Sequence, residues 1–129
     1  MSTIRAGHTA GDHEHFQPDD TDPAMQRRLR GLLEQIDYTT FACNREVISK
    51  VVGAAGPTAF QTLALATAQA RANWVAAAME AAHTSPVSHQ AIEGLTRSRQ
   101  AFEELRDAYD AARRMVERGY LSYEPTSKP

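Results

Sequence analysis

The sequence predicts an all-α protein: an antiparallel bundle of about three long helices, with a disordered N-terminal arm, completed by self-association. Three features lead there. Apolar residues recur at steps of three and four over long stretches. The runs Gly53-Ala54-Ala55-Gly56-Pro57 and Thr84-Ser85-Pro86 punctuate the chain at two places. Between them lies a segment so rich in alanine and so poor in charge that two neighbouring helices would not cover it. At 129 residues the chain is sized for one domain. That domain is expected over residues 23–123, between a polar arm (1–22) and a frayed tail (124–129).

The arm has no apolar period and scattered Gly, His, Asp and Thr, so nothing in it can join a core. Asp22 and Pro23 then read as a helix entry. The aspartate accepts from free backbone N–H groups, and proline suits the first helical position. From Met25 through Leu29, Leu32, Leu33, Ile36, Phe41, Val47 and Ile48 to Val52, the apolar residues keep to one helix face. Asp37-Tyr38-Thr39-Thr40 is the least helical part, where a kink or break is expected if there is one. Gly53 ends this helix.

Thr58 is the expected cap of the second helix, which runs to about His83, roughly 36 Å at 1.5 Å per residue. Ala64, Ala68, Ala72 and Ala76 repeat every four residues and form a smooth ridge, the expected interface with another helix. On that expectation a larger side chain at Ala68 or Ala72 would force the helix axes apart. Either Ser85, with Pro86 at the first helical position, or Ser88 caps the third helix. It is expected to reach about Tyr120. Its positions Ile92, Leu95, Ser98, Phe102, Leu105, Tyr109, Ala112 and Val116 form a coiled-coil-like seam. The pairs Glu93–Arg97, Asp110–Arg114 and Arg113–Glu117 mark a solvated outer face.

Composition excludes several functions. A net charge of −2 with mixed signs leaves no basic stripe for nucleic acid. The cluster Arg27, Arg28 and Arg30 is followed by Glu34 and Asp37, as on a solvated helix face. The run from Ala59 to Met79 contains Arg71, which at a membrane centre would cost about 2.5–3.5 kcal/mol with little from alanine to offset it, so no membrane span is expected. A single cysteine, Cys43, fits a cytoplasmic protein and reads as a buried small residue. The N-terminus lacks the apolar run of a secretory signal.

Little chemistry remains. No Walker loop, G-x-G-x-x-G, H-E-x-x-H or C-x-x-C is present. No cofactor is expected, and the reading leans away from an enzyme. His13 and His15 in the arm form a weak metal candidate, since zinc, nickel or copper sites need ligands on ordered backbone. His83 and His89 flank a turn with no carboxylate between them. Arg71 would either reach water along its stem or pair with a carboxylate such as Glu46.

The alternation of alanine, glutamine and spaced large apolar residues from Val47 to Glu80 resembles, in composition and helix style, the phasins, helical proteins that coat polyester storage granules. That resemblance implies binding to a granule or lipid surface. The expected function is a non-enzymatic interaction protein: a self-associating bundle such as a homodimer, or a small subunit or adaptor for a protein partner. The alternative is a small-molecule or metal-binding bundle with a pocket among Tyr38, Phe41, Arg71 and Trp74.

Overall fold

Helix boundaries here are set by a few capping residues. In the computed structural model, which describes residues 22–126, the chain is all-α with three long helices: α1 (Pro23–Val51), α2 (Pro57–Ala81) and α3 (His89–Glu117). Asp22 caps α1, its Oδ1 accepting from the backbone N–H of Ala24 at 3.1 Å and of Met25 at 3.2 Å. The helix passes through Thr39 and Thr40 without a break. A β-branched residue costs less than about 0.7 kcal/mol of helix propensity, too little to interrupt an established ladder. Gly53, at φ +80°, takes the left-handed conformation that turns the chain out of α1.

The N-cap of α2 is Gly56, not Thr58, with Pro57 at the first helical position. Its backbone is extended because the preceding residue is paired elsewhere. Ala55 N–H donates to the Ser122 carbonyl at 2.9 Å, and Glu124 N–H donates to the Ala55 carbonyl at 2.7 Å. This parallel bridge ties the α1–α2 turn to the segment after α3. The expected tail from residue 124 thus begins at a hydrogen-bonded residue. Helix α2 stops at Ala81, two residues short of expectation.

Of the two candidate caps for α3, Ser88 is used: its hydroxyl accepts from Ala91 N–H at 3.0 Å. The helix ends three residues before Tyr120, at a Schellman turn. Gly119 (φ +80°) donates to Val116, and Tyr120 donates to Met115 at 2.9 Å. The turn sends the chain back, so that Leu121, only 4% exposed, is the most buried apolar residue described.

The described residues divide within α1 into two units, up to Ala42 and from Cys43 onward. In the second, α2 and α3 pack along their length as an antiparallel pair. Phe60 meets Tyr109 edge-on with ring centroids 5.9 Å apart, and Trp74 stacks on Phe102 at 5.8 Å. Advancing along α2 therefore retreats along α3. The α2 face in this contact is Phe60, Leu63, Thr67, Ala70, Trp74 and Ala77, at alternating steps of three and four. Thr67 is buried there, and its hydroxyl is satisfied by the Leu63 carbonyl at 2.8 Å. The α3 seam runs as expected from Leu95 to Val116. At its start Ala91 replaces Ile92, which stays 48% exposed. A strict heptad counted back from Phe102 reaches residue 91, and one residue further is a turn of about 100° off the seam.

In the same unit, the guanidinium of Arg45 donates to the Gly119 carbonyl, tying the last turns of α1 to the end of α3. No residue of α1 is buried. Cys43 is accordingly exposed, which corrects the expectation that it fills a core position. Among the described residues no side chain is wholly enclosed, and Phe102 and Leu121 are the buried hydrophobics.

Candidate interaction surface

The most prominent unfilled feature of the first unit is a row of large side chains on α1. Met25, Leu29, Leu32, Leu33 and Ile36 follow the helical repeat and lie on one face, each 49–58% exposed. Two shallow grooves run along this row. One, of about 410 Å³, is lined by Met25, Gln26, Leu29, Arg30 and Leu33; the other, of about 480 Å³, by Leu32, Gln35, Ile36, Thr39 and Thr40.

A second apolar face lies on α2, on the side away from α3. Leu65, Val75 and Met79 are exposed there, with Ala72 and Ala76 between them and Ala68 at the edge nearer α3. The steps Leu65, Ala68, Ala72, Val75, Met79 alternate three and four, so α2 carries two apolar seams on nearly opposite sides. All four residues of the alanine ridge are exposed in this chain. Ala64 and Ala68 edge a groove of about 320 Å³ against Arg106, Tyr109 and Asp110 of α3, while Ala72 and Ala76 do not line it. Within the second unit no described helix packs onto Ala72, which is exposed.

Of the four aromatic and basic residues grouped as a pocket, the structure brings Arg71 and Trp74 together through Phe102. Trp74 stacks on that ring, with planes 20° apart, and the Arg71 guanidinium lies 4.8 Å from its centroid. Arg106 approaches the same ring at 5.4 Å. Such cation–π contacts contribute about 0.5–1 kcal/mol at exposed sites. Arg71 does not take up the alternative pairing with Glu46, which bonds Lys50 at 3.4 Å instead. Tyr38 is exposed on α1 and Phe41 half-buried, both in the other unit. Phe102 and Arg106 escaped the sequence reading as ring and cation. Their i, i+4 spacing, beside Arg71 and Trp74 at i, i+3, was the available signal.

Another aromatic group gathers where the start of α2 meets α3 and the segment that follows it. Phe60, Tyr109 and Tyr123 surround a groove of about 340 Å³ that Arg113 and Glu117 close on the outer side. The centroid of Tyr123 is 5.9 Å from that of Phe60. The residue giving this contact follows the Schellman turn, which sequence periodicity does not reach.

His13 and His15 lie outside the described residues. His83 sits near Glu80, with Nδ1 3.8 Å from a carboxylate oxygen, both exposed. Among the described residues no three His, Cys, Asp or Glu side chains converge on a point. None of the helices described is long and apolar enough to cross a membrane. No family model, curated protein or solved structure matches the chain.

Proposed function

We propose that this chain is a helical interaction protein that works by association with further helices, self-association foremost, and not by catalysis. The observation that carries this is the row Met25, Leu29, Leu32, Leu33 and Ile36, half-exposed on one face of α1. Contiguous apolar patches of this kind on a soluble chain mark interaction surfaces. Fully burying a Leu, Ile or Met side chain is worth about 1.5–3 kcal/mol. Covering the exposed half of each therefore contributes about 1 kcal/mol per residue, and two such rows together supply on the order of 10 kcal/mol. That is comparable to the 4–15 kcal/mol that association costs in lost freedom. A concentration-dependent oligomer is the expected result.

Sedimentation equilibrium over a wide micromolar range tests this. A mass that rises with concentration is expected; a monomer throughout counts against self-association. A second reading, a small-molecule site beside Trp74, is favoured by the two guanidinium groups at the Phe102 ring next to the α2–α3 groove. Titration of small anions against Trp74 emission separates it from the first.

A further inference from the structure

The charges beside the α1 row are sorted along the helix. Arg27, Arg28 and Arg30 all precede Leu32, and Glu34 and Asp37 both follow Leu33. Turning about 100° per residue from Leu29, Arg30 and Asp37 fall on the same flank of the row. Arg28 and Gln35 fall on the other. Two-fold related antiparallel helices bring like flanks together, whereas parallel helices bring unlike flanks together. Parallel pairing would therefore set Arg30 against Arg28. Antiparallel pairing sets Arg30 of each copy near Asp37 of the other, and repeats that contact by symmetry.

The apolar residues fit the same operation. With the two-fold axis between Leu32 and Leu33, each of these lies about one residue rise from its own copy across the pair, and Leu29 lies level with Ile36.

Resting on the reading of the chain as self-associating, we infer that a second copy docks antiparallel on α1 over residues 25–37. The segment does not fit an anionic lipid surface, because Glu34 and Asp37 offset two of its three arginines and leave a net charge of only +1 over residues 25–37. It does fit its own reverse.

The test is charge exchange combined with cross-linking. Arg30→Asp alone and Asp37→Arg alone each place like charges across the pair. Each is expected to weaken the homodimer about tenfold or more, while an equal mixture of the two variants restores association. In a Cys43→Ser background, Leu33→Cys is expected to form a disulfide-linked dimer on mild oxidation. Met25→Cys is not, because antiparallel pairing puts its two copies roughly 22 Å apart along the axis at 1.5 Å per residue. A dimer that persists unchanged in both charge variants, or that cross-links as readily through Met25→Cys, overturns this seat and orientation while leaving self-association standing. A full-length chain that stays monomeric at every concentration and floats with phosphatidylserine vesicles overturns the self-association reading and this inference together.

Discussion

Gly56 meets the Glu124 carbonyl so closely that a Cβ built on the glycine would lie 2.6 Å from that oxygen. The approach follows from the backbone bridge through Ala55, which brings the turn before α2 onto the strand-like segment after α3. The obstructing atom is backbone, so it cannot swing aside as a side chain would. Gly56→Ala is expected to destabilise the protein by about 1–3 kcal/mol, as overpacking does. The glycine's extended φ of −148° suits alanine equally, so the cost is steric and not conformational. A thermal melt followed by circular dichroism reads it, and a variant as stable as wild type would show that the bridge opens freely in solution.

Phe102 is the one buried aromatic residue described, held between Trp74, Arg71 and Arg106. Phe102→Ala is expected to cost about 3–5 kcal/mol, the range for deleting a buried aromatic ring. Because Trp74 is the sole tryptophan, its emission in a urea titration reports directly on this contact. A loss below about 1 kcal/mol would mean that the α2–α3 seam tolerates a cavity at its centre.

The two serines before α3 separate cleanly. Ser88→Ala removes the hydroxyl that accepts from Ala91 and is expected to cost about 1 kcal/mol. Ser85→Ala lies outside the helix and is expected to stay within about 0.5 kcal/mol of wild type. Equal effects in paired denaturant titrations would contradict the assignment of the cap.

Ala72→Leu tests the alanine ridge. In the isolated chain the position is exposed, so the larger side chain meets no neighbouring helix and leucine is nearly as good a helix former as alanine. Stability in dilute solution is expected to stay within about 0.5 kcal/mol of wild type. Melts at two well-separated concentrations check this. A loss that grows with concentration would place the ridge in a subunit contact, because association and folding are linked.

Much of this architecture was legible in residue spacing. The α1 entry at Asp22-Pro23, the glycine exit at Gly53 and the α3 seam from Leu95 to Val116 all depend on residues close together in sequence. Their physics is local: a cap, a left-handed glycine, a repeat of three and four. The same locality explains the small misses at Thr58 and Ile92, each displaced by a residue or two once Pro57 and the heptad phase set the frame.

What the sequence by itself determined was which residues form helices and which faces of those helices are apolar. It could not determine which apolar face is covered. The ridge at Ala64, Ala68, Ala72 and Ala76 and the packed seam at Phe60, Leu63, Thr67 and Trp74 lie on one helix, the first of small side chains and the second mostly of large ones. Choosing between them requires a partner surface of matching shape. Only the tertiary structure made that choice, by stacking Phe102 on Trp74 and folding Leu121 back through the Gly119 turn. Burial is a property of two surfaces meeting, and a one-dimensional pattern specifies only one of them. For the same reason Cys43 reads as core in sequence and stands exposed in the folded chain, as does the row from Met25 to Ile36 that spacing places on one apolar face.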